Sequence, residues 1–303
     1  GDVWNHTLYE DYWLIKINNI GDTIWTNAYG GAYRDYGKSI VETFNGNYIL
    51  SGYTYSDSGG VWGNHGMSDY WVIKINNIGD TLWTKCFGGS SDEISYSNII
   101  QTSDSCYLIS GKSGSNNGDV WGSHGSYDAW TLKVNNQGDT IWTRSYGGSN
   151  IDEVCHIIET SDNHLILVGL TNSDDGDVNI NHGGFDAWIL KLNLNGDTIW
   201  SKTYGGSSED GAIQVIEDYD DCFVVSGYSM SNDGDLIENN GTVDFWIFKI
   251  DNLGNILWSK SYGGSNEESA YTISLTTDSC YIVSGKSQSN DFDVPSNYGL
   301  EDI

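Results

Sequence analysis

Apolar and polar residues alternate along most of this chain. In Asp128–Asn135, Trp130, Leu132 and Val134 fall on one face. Alternation bounded by Gly and Asx clusters predicts strands. The surrounding segments have the same character. Ile94–Thr102 alternates imperfectly and ends in a Thr-Ser-Asp-Ser turn, Cys106–Ser113 is an apolar run, and Thr140–Tyr146 follows a turn at Asn136–Asp139. A long Gly/Asn/Asp/Ser loop, Gly114–Tyr127, separates the second run from the third. No stretch carries helical periodicity.

The pattern repeats. Trp13, Trp71, Trp130, Trp188 and Trp246 are 58 or 59 residues apart, and Trp25, Trp83, Trp142, Trp200 and Trp258 keep the same spacings. Four antiparallel strands at a fixed period describe a propeller blade. A solenoid is the runner-up, but its repeats carry fewer, shorter strands and need capping ends. With strands named A (inner) to D (outer), complete sets begin near Tyr36, Glu93, Glu153 and Gly211. Strands A and B of a fifth set occupy Ser269–Ser287, and its C and D strands are supplied by Asp11–Asn18 and Thr23–Tyr29. The expected fold is all-β: a five-bladed β-propeller of four-stranded antiparallel blades. It forms a single domain over residues 1–303, closed where the N-terminal strands pair with the C-terminal blade. Residues 1–10 and 289–303 read as loop-like terminal segments. Part of the B-to-C loop occurs at both ends, so a share of a larger propeller is the alternative.

Composition then removes function classes. There are 42 Asp+Glu against 13 Lys+Arg, a formal charge of -29, which repels phosphate backbones and excludes sequence-neutral nucleic-acid binding. No apolar run reaches the ~18 residues of a membrane span. At 38% hydrophobic and 13% aromatic, the chain buries a real core. The five cysteines are odd in number and lack a CxxC, so they read as free, buried thiols rather than a disulfide framework. The sequence opens on Gly1-Asp2 without Met or a basic-then-apolar leader, so a signal peptide is expected to be removed or outside it. A monomeric domain is expected.

Three blocks carry a resemblance: Asp186-Ala187-Trp188 through Lys191 with Gly196-Asp197 through Trp200, Tyr204-Gly205-Gly206-Ser207, and Asp175-Gly176-Asp177-Val178 with Asn181-His182-Gly183. Over essentially the whole chain they resemble the secreted β-propeller repeats of Bacteroidetes surface proteins, and more distantly the bacterial SBBP-type propeller repeat. The resemblance implies an exported or cell-surface protein, often part of a larger adhesive polypeptide. It brings no agreed activity and no catalytic residues. The later repeats drift, with Asn240 and Tyr298 where others have His65, His124 and His182.

Strand order places the short A-to-B and C-to-D turns at one end and the long B-to-C loops and D-to-A crossovers at the other. Binding residues concentrate on long loops held by a rigid scaffold. An acidic pair follows each Gly-Gly: Asp92-Glu93, Asp152-Glu153, Glu209-Asp210 and Glu267-Glu268. These are read either as a cation-recruiting ring or as a solvated acidic rim. Asp174, Asp175, Asp177, Asp186, Asp233, Asp235 and Asp244 are hard oxygen donors on Gly-containing loops, suited to structural Ca2+ although no EF-hand frame exists. The competing reading is that these acids anchor turns. No cofactor is required.

The recurrent His6, His65, His124 and His182 read as loop-packing residues. Lys16, Lys74, Lys133, Lys191 and Lys249 share a strand-C position and Lys85, Arg144, Lys202 and Lys260 a strand-D position, which ties most of the bases to the blade. The repeated Trp residues read as packing between blades. Trp4, Trp62 and Trp121 differ, since they occur only in B-to-C loops, where a Trp face suits a sugar ring. No GxSxG, HExxH or phosphate-cradling loop occurs, and every candidate acid has counterparts in neighbouring repeats. The expectation is a non-catalytic surface binding or adhesion module for a glycan or protein partner. A purely structural spacer comes next, then a glycoside hydrolase-like enzyme.

Overall fold

The computed structural model describes residues 9–236 and 238–297. Trp4, His6 and Tyr298 lie outside the described residues, as does most of the first terminal segment. The chain falls into two compact units, Gly1–Ser123 with Tyr127–Ser145, and His124–Ser126 with Tyr146–Ile303.

The first unit begins with β1 (Tyr12–Ile17) and β2 (Thr23–Tyr29), a two-stranded sheet. A four-stranded sheet follows: β3 (Asp35–Glu42), β4 (Tyr48–Thr54), β5 (Asp69–Ile75) and β6 (Thr81–Phe87) in sequence order. The next contains β7 (Glu93–Ile94), β8 (Ile100–Gln101), β9 (Tyr107–Ser113), β10 (Asp128–Val134) and β11 (Thr140–Tyr146), whose last residue belongs to the second unit.

The second unit holds two more sequential four-stranded sheets. One is β12 (Asp152–Glu159), β13 (His164–Thr171), β14 (Asp186–Asn193) and β15 (Thr198–Tyr204). The other is β16 (Asp210–Glu217), β17 (Phe223–Ser229), β18 (Asp244–Ile250) and β19 (Ile256–Tyr262). It ends with the two-stranded pair β20 (Glu268–Leu275) and β21 (Tyr281–Ser287). The described residues contain no helix. The fold is all-β, built from antiparallel blades of the propeller type.

Turn chemistry sets the hairpins. At the C-to-D turn of the second repeat, Asn76 Oδ1 accepts N–H bonds from Ile78 and Asp80, and Gly79 takes φ +91°. Asn135 with Gly138 and Asn193 with Gly196 reproduce this arrangement. An Asx side chain closes the turn, and glycine supplies the left-handed residue without steric cost. The inner strands β3, β12, β16 and β20 each carry a bulge, and a glycine opposite admits it. A Cβ on Gly169 would sit 1.9 Å from Glu153 O.

Packing explains the tryptophans. Trp71, Trp130, Trp188 and Trp246 are all at most 2% exposed. Trp188 and Trp246 each donate Nε1–H to a strand-D hydroxyl, Ser201 and Ser259, at 2.9 Å. The strand-D set reaches the next repeat: Trp83 Nε1 donates to Asn136 O at 3.1 Å, and Trp200 Nε1 to Asn252 O at 3.2 Å. The strand-C lysines are struts. Lys191 Nζ bonds Asp162 Oδ2 at 3.0 Å and also the Asn252 side chain of the following repeat.

Four expectations need correction. Ile94–Thr102 is not one strand: β7 and β8 are separated by Ser95–Ile99, where the Ile99 amide donates to Ser39 Oγ of the preceding repeat. Strand C was expected to show one buried face, yet β5 is buried at all seven positions because sheets pack against both its faces. The thiols are not uniformly buried, since Cys86 and Cys222 are buried, Cys106 and Cys155 intermediate, and Cys280 exposed. Finally, Trp13 is 71% exposed although its counterparts are core, because β1 has no strand B beside it within its own two-stranded sheet.

Candidate functional site

The long loops and the Gly-Gly crossovers interlock at each blade joint. At Gly88-Gly89, the Gly89 amide donates to Glu93 Oε2 at 2.6 Å, and Ser113 Oγ donates to Glu93 Oε1 at 2.6 Å. The next loop closes over the crossover, with Ser90 N donating to Asn117 Oδ1 at 2.8 Å and Gly88 N to Asp119 Oδ2 at 3.2 Å. The second unit repeats the arrangement. Gly206 N donates to Asp210 Oδ2 at 2.7 Å, Ser207 N to Asp233 Oδ1 at 2.7 Å and Gly205 N to Asp235 Oδ2 at 3.1 Å. One repeat earlier, Gly148 N donates to Asp152 Oδ2 at 2.8 Å, Ser149 N to Asp175 Oδ1 at 2.6 Å and Gly147 N to Asp177 Oδ2 at 3.2 Å.

This geometry sorts the acids. The hydrogen bonds to Asp175, Asp177, Asp233 and Asp235 come from backbone amides, which is the turn-anchoring role weighed against calcium. Asp174 is exposed. Among the described residues, no group of three or more His, Cys, Asp or Glu gathers as a metal-holding cluster.

The expected rim is a rim only in part. Glu93, Asp152, Asp210 and Glu268 are at most 2% exposed, because each begins an inner strand and accepts the crossover amide. Glu209 and Glu267 are exposed, and Asp92 and Glu153 are intermediate. Sequence alternation through Asp-Glu cannot say which acid of the pair points inward.

A second set of acids begins strand C. Asp69, Asp186 and Asp244 are fully buried. Asp69 Oδ2 accepts the His65 amide at 3.0 Å and faces His65 Nδ1 at 2.6 Å. His182 holds Asp186 Oδ2 in the same way, at 2.7 Å from both nitrogens. Since a carboxylate only accepts, Nδ1 carries the proton. These recurrent histidines therefore pack loops, as their repetition suggested. The other oxygen, Oδ1, has no hydrogen-bond partner in Asp69, Asp186 or Asp244. Burial pushes the Asp69 carboxyl up to about 6 against the pull of His65, and burial raises Asp186 and Asp244 as well.

Trp62 and Trp121 are 67% and 70% exposed, each directly after a fully buried valine, Val61 or Val120. The loop under Trp62 is pinned. Gly63 N donates to Asp57 Oδ1 at 3.1 Å, and Asn64 Nδ2 donates to Thr54 O at 3.2 Å. The valine anchors the loop while the indole faces out. A feature that sequence reasoning missed is a groove of about 510 Å3 in the first unit, lined by Trp13, Ile15, Lys16, Trp25, Ile40 and Tyr48 among others. Repetition concealed it, because the counterparts of Trp13 are core.

No protein-family model matches the chain, and no curated protein matches it. Among solved structures it is similar to a protein of unknown function from Dyadobacter fermentans, at 10% identity over 83% of this chain and 70% of that one, TM-score 0.44. It is also similar to BamB from Moraxella catarrhalis, at 11% identity over 87% and 73%, TM-score 0.41. A levansucrase from B. megaterium aligns at 9% identity over 77% and 69%, TM-score 0.39. Likeness this distant says nothing about activity.

Proposed function

We propose that this chain is a non-catalytic surface binding module that captures a glycan through its long-loop end. The observation behind the reading is the pair Trp62 and Trp121. Both are exposed large aromatics at equivalent loop positions, each held by a buried valine. An indole face stacks on the C–H face of a pyranose at low entropic cost when its loop is already ordered. Equivalent sites in consecutive repeats suit weak, multivalent capture. Export to the cell surface accords with this reading. Against catalysis stands the repetition of the inner-strand acids Glu93, Asp210 and Glu268, whose oxygens are engaged in joint after joint by Ser hydroxyls and Gly amides.

A glycan array of the intact chain, repeated with Trp62→Ala and Trp121→Ala, tests the reading. Signals that fall in both variants at unchanged melting temperature support it. An array without signal favours a second reading, a structural spacer. That reading has its own support, because so many loop polar groups close crossovers instead of facing solvent.

A further inference from the structure

We propose that Asp69 and Glu93 form a proton-binding pair, in which one shared proton bridges the start of β5 to the start of β7 and tightens the blade joint on mild acidification. The geometry rests on three features. Both carboxylates are fully buried. Asp69 Oδ1 has no hydrogen-bond partner. And both converge on one glycine: a Cβ added to Gly88 would sit 2.3 Å from Glu93 Oε2 and 2.6 Å from Asp69 Oδ1. A buried oxygen without a donor is costly, and two like charges meeting over one glycine add to the cost. A single proton on Asp69 Oδ1, donated to Glu93, supplies the missing donor and removes one charge.

The surroundings fit a proton better than a metal ion. Glu93 already accepts from Gly89 N and Ser113 Oγ. His65 holds the other oxygen of Asp69 as a donor. Calcium wants six to eight oxygens, and no cluster of three or more ligating side chains gathers among the described residues. A proton needs one donor and one acceptor. The titratable groups facing the pair are His65 from the preceding loop, Asp119 from the following loop, the Cys86 thiol on β6 and the buried Tyr70 phenol on β5 beside Glu93. His65 favours the ionised form of Asp69 and Asp119 opposes it, while burial, the largest influence, raises both Asp69 and Glu93. The same convergence recurs at Gly205, with Asp210 Oδ2 at 2.7 Å and Asp186 Oδ1 at 2.8 Å from a Cβ. Gly263 repeats it with Asp244 Oδ1 at 2.4 Å and Glu268 Oε2 at 2.7 Å.

The sign follows from linkage. Asp69 is raised to about 6 in the folded chain, against an ordinary value of about 3.9. Its contribution is therefore fully favourable below the ordinary value and is lost as pH rises through the folded one. Between those limits the folding equilibrium shifts by up to about a hundredfold for one pair.

Asp69→Asn places an amide N–H where the proton would sit and keeps an oxygen for His65. Urea unfolding of the intact chain and this variant at pH 7.5 and pH 5 is the test. The variant is expected to be the more stable at pH 7.5, with its advantage shrinking at pH 5. Stability equal to or below that of the unchanged chain at pH 7.5 overturns the proposal. So does a gain from added calcium that the variant lacks, which would assign the pair to a cation. Should the variant fail to fold, 13C-carboxyl titration of Asp69 in the unchanged chain decides, since a midpoint in the ordinary carboxylate range also overturns it.

Discussion

Lys191 offers a direct measure of what the strand-C struts contribute. Its side chain is 5% exposed and its Nζ lies 3.0 Å from Asp162 Oδ2, whose own side chain is 40% exposed. The Asn252 side chain completes the contacts of the ammonium. Replacing Asp162 with Asn keeps an acceptor for Thr160 but leaves a buried ammonium short of its counter-charge. Breaking a fully buried pair costs about 3–5 kcal/mol. Asp162 is partly solvated, so water can enter and about 2–3 kcal/mol is the expected loss. Lys191→Met fills the stem volume and leaves Asp162 to Thr160, His164 and water, which should cost about 1–2 kcal/mol. The ordering is the decisive point, with Asp162→Asn worse than Lys191→Met and the double variant less than additive.

Partial burial pulls Asp162 up, but hydrogen bonds from Thr160 and Lys191 override it and hold the carboxyl well below the usual range. A depressed group stabilises above the ordinary carboxylate value and loses that contribution as pH falls through the folded one. Lys191→Met should therefore flatten the acid limb of the stability profile below about pH 4. Urea denaturation measures all three quantities. The reasoning fails if the lysine variant is the more damaging of the two, or if both cost under about 0.5 kcal/mol.

Other outcomes follow from the packing. Trp188→Ala, at a 1% exposed core position, should cost about 3–5 kcal/mol in urea unfolding, and a loss under about 1 kcal/mol would contradict its placement. Gly169→Ala should be severely destabilising, because its Cβ would meet the Glu153 carbonyl at 1.9 Å, and wild-type-like melting would show that the bulge relaxes.

Strands and their order were legible because two signals coincide in every repeat. Period-2 alternation marks β5, β10, β14 and β18, and an Asx residue with a left-handed Gly marks the C-to-D turn of all five hairpins, four of them beginning with Asn, at Asn18, Asn76, Asn135 and Asn193. The fifth uses Asp251 in the same way, its Oδ1 accepting the amides of Leu253 and Asn255. What alternation could not show is which strands are covered on both faces, since that depends on neighbouring sheets. It also could not show the break between β7 and β8 at Ser95–Ile99.

The candidate site was less legible for a related reason. A repeated acid reads equally well as a solvated rim, a cation ligand or a backbone anchor, and only partners distinguish the three. The pair Asp92-Glu93 shows the difficulty: Ser68 Oγ donates to Asp92 at 2.8 Å while Glu93 turns inward to the Gly89 amide. Once the amides are assigned, the acids that stand out are those with an oxygen left over, Asp69, Asp186 and Asp244. The net charge of -29 thus mixes two populations. Exposed carboxylates add to solubility, but Asp69, Asp186 and Asp244 hold charge in buried positions, where removing it by protonation should strengthen the fold. A chain of net charge -29 also gains when its exposed carboxylates are protonated, because self-repulsion falls. The raised carboxyls of Asp69, Asp186 and Asp244 act in the same direction from neutral pH to about pH 5, so the sign alone does not separate them from the surface; the difference between the unchanged chain and Asp69→Asn does, because the surface contribution is common to both.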